Sequence, residues 1–188
     1  MLDTLRQPLE RGEIVLHRAH GATRYPARFQ LVLAANPCPC GRFVGTGEAC
    51  SCTAVSRRRY LGRLSGPLLD RIDIQVGVLA PSRAARDDGE PSAAVAARVD
   101  AAREAAAERL APHGWRLCAE AAGPWLRRAT SRSACADLWG AVERGALTAR
   151  GFDRVLRVAW TLADLGGRGS PGRDEVARAL ALRQGVRG

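Results

Sequence analysis

Apolar positions follow two regimes along this chain. Leu2, Leu5 and Leu9 recur at helical spacing, so residues 2–10 read as the end of a helix that Gly12 terminates. The segments EIVLHRA (13–19) and TRYPARF (23–29), separated by His20, Gly21 and Ala22, fit the two strands of a hairpin. Residues 29–35, FQLVLAA, form an apolar run closed by Asn36 and Pro37. That is the pattern of a buried strand in a parallel sheet, and a short helix can mimic it. RRRYLGRL (57–64) resembles a short basic helix. Ser65 and Gly66 lead into a helical turn, PLLDRI (67–72), with proline at its first position. Residues 72–79, IDIQVGVL, alternate apolar and polar side chains and read as a second strand.

A polar, proline- and glycine-bearing linker, 80–92, then separates this part from an alanine- and arginine-rich helical pattern. Ser92 is placed to cap a helix running to about Leu110, which Pro112, His113 and Gly114 end. Further helices are expected near 120–129, 133–144, 148–165 and 171–183, the last two separated by the break GGRGSPG (166–172). The expected fold is therefore α/β over residues 1–91 joined to an all-α part over 92–188.

Composition narrows the class. The hydrophobic fraction of 46% and charged fraction of 26% are those of a globular chain. All 29 basic side chains are arginine, against 19 acids, for a net charge of +10. That excess suits an anionic partner such as nucleic acid or nucleotide. An arginine-rich coding bias gives the same count, and the arginines are spread along the chain rather than gathered in one tail. With no lysine anywhere in its 188 residues, the sequence contains no P-loop of the form G-x-x-x-x-G-K-[ST]. No apolar stretch approaches the roughly 18 residues of a membrane helix, and the charged start lacks a signal-peptide pattern. The expectation is a cytoplasmic protein whose six cysteines are thiols or metal ligands rather than disulfides.

The cysteines carry the first testable chemistry. Cys38 and Cys40, then Cys50 and Cys52, form a C-x-C…C-x-C pair with nine residues between its halves. Four thiolates brought together can hold zinc tetrahedrally, and the two glycines of RFVGTGEA (42–49) let the ends approach. A redox-active or simply reduced loop is the other reading. Cys118 and Cys135 fall in the helical region and read as small buried hydrophobes. His17 and His20 lie at the hairpin, where a turn or surface role is expected.

A second set is polar. Asn36 follows the apolar run, where its amide would emerge at the carboxyl edge of a sheet, the ligand-binding edge of open α/β folds. A turn-forming Asn-Pro pair is the plainer reading. Arg71, on the short helix of PLLDRID, is placed either as a finger stabilising a phosphoryl group in trans or in a salt bridge with Asp70 or Asp73. Arg150, Arg154 and Arg157 share one helix face, ordinarily a solvated one, while Phe152, Val155 and Leu156 can pack inward.

The stretches LRQPLERGEIVLHRA (5–19), PARFQLVLAANPCPCG (26–41), CSC (50–52), YLGRLSGPLLDRIDI (60–74) and LTARGFDRVLRVAWTLADL (147–165) resemble the magnesium-chelatase-like AAA+ ATPases, specifically the YifB/ComM group. They occur in the family's order and extend the resemblance over nearly the whole chain, most weakly at 92–135. It implies a partial AAA+ core followed by a helical lid. Asn36 then corresponds to sensor 1, Arg71 to the arginine finger, and Arg150 to sensor 2, with Arg154 as its alternate. The implied activity is ATP- and Mg2+-dependent motor work by a homo-oligomeric, hexameric ring. ComM-type members are implicated in DNA branch migration during natural transformation, whereas members nearer the chelatase insert magnesium into a porphyrin. NPCPCG and CSC point to the YifB/ComM side.

The family's Walker A loop and acidic Walker B segment lie upstream of LRQPLE, and neither motif is in this sequence. The expectation is the C-terminal portion of an ATPase that does not hydrolyse ATP alone. It would come from a gene fragment, from a misassigned start at Met1, or from a split gene with a separately encoded N-terminal half. Two rivals are a non-catalytic zinc-bearing module binding DNA or a partner, and a truncated remnant without activity.

Overall fold

The computed structural model describes residues 2–78 and 89–185. It divides into two compact units, Met1–Ile72 and Asp73–Gly188. The expected linker lies mostly outside the described residues.

In the first unit a 3-10 turn, Leu2–Leu5, runs into α1, Arg6–Arg11. Gly12 ends it in the left-handed region at φ 66°, its N–H donating to the Pro8 carbonyl at 2.8 Å. A side chain there would be strained twice, because a Cβ would also meet Cγ of Arg28 at 2.8 Å. The hairpin forms as its alternation implies. Strand β1, Glu13–Arg18, pairs antiparallel with β2, Gly21–Pro26, in a register that sets Glu13 opposite Pro26 and Arg18 opposite Gly21. Two short helices follow. In α2, Ala54–Leu61, the Thr53 hydroxyl accepts the Ser56 N–H at 3.2 Å. In α3, Gly66–Leu69, the Ser65 hydroxyl accepts the Leu68 N–H at 3.3 Å while donating to the Asp3 carboxylate. Both are N-caps of the ordinary kind, satisfying an orphan donor of the first turn.

The two parallel-sheet strands expected from the sequence are not built among the described residues. Residues 29–35 form no strand, and Val32 is 82% exposed. A strand exists only through its ladder, and β1 and β2 pair with each other alone. The second segment shows a single bridge residue, Val76, and its last residue, 79, lies outside the described residues. Its Gln75 N–H donates to the Leu182 carbonyl at 2.7 Å, so a helix end takes the bond that a sheet neighbour would have made.

The second unit is helical, close to the expected pattern: α4, Ser92–Leu110; α5, Gly123–Ala129; α6, Ala136–Glu143; α7, Ala149–Leu165; and α8, Arg173–Gln184. One detail differs. The residue at the N-cap of α4 is Pro91, with no side-chain cap, and Ser92 is the first helical residue. Helix α7 supplies the centre. Phe152, Val155, Leu156, Ala159, Trp160 and Ala163 are buried on one stripe at three- and four-residue spacing. Helices α4, α5, α6 and α8 all pack against it. Leu110, Leu126, Leu138 and Val176 complete this core, and each is at most 1% exposed.

Replacing Leu156, fully buried in this cluster, by alanine is expected to cost about 2–5 kcal/mol in urea unfolding. Val32→Ala, at a side chain that water already reaches, should stay within about 0.5 kcal/mol. Comparable losses at both positions would show that residues 29–35 are packed and that the core has been misplaced.

Candidate functional site

The loop between the hairpin and α2 folds back on itself through three turns. The Gly41 N–H donates to the Cys38 carbonyl at 3.0 Å, the Gly47 N–H to Val44 at 3.0 Å, and the Cys50 N–H to Gly47 at 2.9 Å. Gly47 is required twice over: its φ is 77°, and a Cβ on it would lie 2.5 Å from the Phe43 ring. These turns bring the two C-x-C pairs together. The sulfurs of Cys38 and Cys40 are 3.3 Å apart, those of Cys40 and Cys50 3.7 Å, and those of Cys50 and Cys38 3.6 Å. All four, Cys52 included, lie within 4.8 Å of one another. Tetrahedral zinc with Zn–S bonds of about 2.3 Å needs sulfurs about 3.8 Å apart, so the set has the size of a four-thiolate metal site. Its geometry is that of free thiols, since a disulfide requires S–S of about 2.05 Å.

Electrostatics within the cluster are uneven. The backbone N–H of Arg42 and then the Cys38 thiol stabilise the Cys40 thiolate and lower its pKa to about 6. Cys52 receives the Cys40 backbone N–H, which favours its thiolate. The Cys40 and Cys50 sulfurs together with burial outweigh that bond and push Cys52 up to about 11. One sulfur thus carries charge at neutral pH while its neighbour keeps its proton. A bound divalent cation would reverse that for Cys52, because a coordinated thiol is deprotonated outright.

Arg57, which sequence reasoning passed over, fastens the loop to α2. Its guanidinium donates to the Cys52 carbonyl at 2.7 Å and lies 4.3 Å from the centroid of the Phe43 ring. The available signal was its spacing: five residues past the last cysteine of the cluster, on the first turns of a helix.

Asn36 is exposed on the turn that enters this loop, with its amide 3.8 Å from where a Cβ of Gly41 would stand. It does not stand at a sheet edge, since residues 29–35 form no strand. Arg71 lies just past α3, donating to the Pro67 carbonyl at 2.5 Å and pairing with Glu10 at 2.8 Å. Its side chain is only 9% exposed.

In the second unit Arg150 is exposed near the start of α7, whereas Arg154 is largely covered and pairs with Asp73 at 2.6 Å. Arg157 donates to the Ala121 carbonyl at 3.0 Å, and burial followed by the Arg154 charge lowers its pKa. Of the basic face of α7, Arg150 is exposed as the spacing suggested, whereas Arg154 and Arg157 are partly covered. Further along the helix Asp164 forms a bidentate pair with Arg109, whose guanidinium stacks 4.4 Å from the centroid of the Trp160 ring. That acid was legible: four residues after Trp160 and eight after Leu156, it falls on the apolar stripe. A cavity of about 430 Å3 opens beside Arg109, Asp164 and Arg168. These charges are spoken for, Arg168 by Glu175 at 3.0 Å. Cys118 and Cys135 are thiols whose pKa burial raises, in keeping with small apolar side chains.

Residues 1–86 match the family described as magnesium chelatase, subunit ChlI, and residues 89–183 match the one described as magnesium chelatase, subunit ChlI C-terminal. The chain belongs to the magnesium chelatase family. It is 56% identical over 187 residues to an uncharacterized protein of Mycobacterium tuberculosis, covering 97% of this chain and 37% of that protein. It is 38% identical over 198 residues to the competence protein ComM of Haemophilus influenzae, covering 100% of this chain and 37% of ComM. To the uncharacterized protein YifB of Escherichia coli it is 39% identical over 170 residues, 87% of this chain and 32% of YifB. The chain thus spans about a third of the length of these relatives. Among the described residues no helix is long and apolar enough to cross a membrane.

If the cysteines ligate metal, the purified chain should carry about one zinc per molecule by elemental mass spectrometry, four thiolates making a closed site. Cys38→Ser combined with Cys50→Ser should remove it. Zinc retained at the original level in the double variant would place the metal elsewhere.

Proposed function

We propose that this chain supplies the trans-acting and sensing part of a ComM/YifB-like AAA+ ATPase, working in an ATP- and Mg2+-driven homo-oligomeric ring, hexameric by family analogy, on DNA in the cytoplasm. The observation that carries this reading is the two family matches in consecutive order along one chain. In this reading residues 1–91 are the core part and 92–188 the lid. The ring requires a phosphate-binding lysine that these 188 residues do not contain. It must come from a segment outside this sequence, in the same protein or in a separately encoded partner.

Within the ring Arg71 is the arginine finger. A guanidinium acts in that role by neutralising charge that develops on the γ-phosphoryl group, and it does so only when held in place beforehand. The carbonyl of Pro67 and the carboxylate of Glu10 hold Arg71 in this way. Asn36, an uncharged amide, serves as sensor 1. Arg150, at the start of α7, serves as sensor 2, with Arg154 as its alternate. The cysteine loop holds zinc as a structural ion. Sulfur spacing also favours a second reading, a zinc-bearing binding module without hydrolysis.

Arg71→Ala, placed in the reconstituted full-length ATPase, should lower hydrolysis by about 10³-fold or more while leaving nucleotide affinity unchanged. Mixing it with subunits that lack only the P-loop lysine should restore part of the rate, because a finger acts on the neighbouring site. Loss of nucleotide binding in parallel would mark a folding defect. Full activity of the variant would remove Arg71 from the mechanism and leave the binding module as the better reading.

A further inference from the structure

Helix α2 is a helix without a core face. None of its eight residues is buried, and Val55 and Leu61 are 58% and 48% exposed. A helix this short is unstable alone and normally depends on an apolar stripe packed against the protein. Here it is held at its start instead, by the Thr53 cap and by the Arg57 contacts to Cys52 and Phe43. Those contacts tie it to the four-cysteine loop, so the loop fixes where the helix points.

The surface so presented is strongly basic. Between positions 42 and 63 the chain carries Arg42, Arg57, Arg58, Arg59 and Arg63 against one acid, Glu48. Arg42, Arg58, Arg59 and Arg63 are exposed, and among the described residues none of them forms an ion pair. Exposed apolar side chains are interleaved with them: Phe43 at 37%, Val44 at 53%, Val55 and Leu61. The stretch has no asparagine or glutamine to read base edges.

We propose that the four-cysteine loop and α2 form a metal-organised docking surface for single-stranded DNA, with Arg58, Arg59 and Arg63 on the phosphates. This rests on the DNA-directed reading above and deepens it by naming the strand form and the residues. Charge complementarity selects a polyanion. The interleaved apolar side chains select a single strand, whose unstacked bases offer apolar faces that a duplex hides. Removing the metal should loosen the surface even though no ligand cysteine touches the strand.

The test uses the full 188-residue chain in its zinc-loaded form. Its probe is a fluorescein-labelled thirty-nucleotide oligothymidine, read by anisotropy across a salt series. The combined variant Arg58→Ala, Arg59→Ala, Arg63→Ala should bind at least about tenfold more weakly, with its salt slope shallower by about 2, as three lost single-strand phosphate contacts require. A control carrying Arg103→Ala, Arg116→Ala and Arg128→Ala removes the same charge from exposed sites of the helical unit and should change affinity less than twofold. Cys38→Ser with Cys50→Ser should weaken binding in step with zinc loss. A blunt duplex and vesicles of phosphatidylglycerol with phosphatidylcholine complete the comparison, and both should bind more weakly than the single strand.

Equal losses in the α2 variant and the control would overturn the proposal, reducing binding to diffuse charge. Strong binding of the oligonucleotide by wild type and α2 variant alike would leave the DNA reading standing and remove this surface from it. No binding by the wild type would sink both readings for this chain. Preference for the vesicles would reassign the patch to an anionic lipid surface.

Discussion

The helical unit depends on one buried ion pair laid across the otherwise apolar stripe of α7. Asp164 sits on the same stripe of α7 as Leu156 and Trp160, where a lone carboxylate would be costly. Arg109 on α4 reaches it in a bidentate fork while its planar face stacks on Trp160. The pair therefore joins α4 to α7 at a fixed register. It also lets the stripe run on past Trp160 to the end of the helix. Lysine, a point charge on a flexible stem, would supply neither the fork nor the stacked plane. Arginine at this position is accounted for by these internal contacts.

The first unit is built on a different principle. Among the described residues before Ile72, the buried apolar side chains are Pro8, Cys38 and Leu68, while the other buried hydrophobics belong to the helical unit. Roughly seventy residues with so little interior are in the range where small domains rely on a metal, a disulfide or a partner. Cys38 is itself one of the four clustered thiols. Metal binding at such a cluster would be folding energy for the loop, since no preformed site exists in the unfolded chain. The apolar run at 29–35 lies exposed beside it, a segment with the composition of a central strand and no ladder to join.

This contrast explains what could be read in advance. Helices α4 to α8 were legible because their pattern is local: an apolar stripe at 3.6-residue spacing, bounded by Gly114, Thr148 and Gly166, needs only the neighbouring turns. The β1–β2 hairpin was legible for the same reason, its turn lying within the segment. The strands at 29–35 and 72–79 were misread because strand formation is non-local, and the pattern says nothing of whether a pairing edge exists. Of the candidate site, the C-x-C spacing correctly indicated four thiols that could meet. It could not show that Arg57 fastens the loop to α2, since that depends on where the Phe43 ring stands after Gly47 turns. The pairing of Arg71 with Glu10 was hidden by its separation in sequence, and the nearby Asp70 and Asp73 drew attention first.

The net charge of +10 can now be divided by what each arginine does. In the helical unit many are internal fasteners: Arg109 with Asp164, Arg127 with Asp153, Arg154 with Asp73, Arg157 on a carbonyl, Arg168 with Glu175, and Arg173 with Asp137. The five that face a carboxylate are largely neutralised at short range, so they add little to the field beyond about one Debye length. Along the cysteine loop and α2, Arg57 is held by the Cys52 carbonyl, while Arg42, Arg58, Arg59 and Arg63 are exposed and form no ion pair among the described residues. A coding bias would enrich arginine everywhere without arranging acids to match it. Exposed arginines also stand on the helical unit, Arg103, Arg116 and Arg128 among them; what sets the α2 surface apart is that Arg57, Arg58, Arg59 and Arg63 follow one another within seven residues.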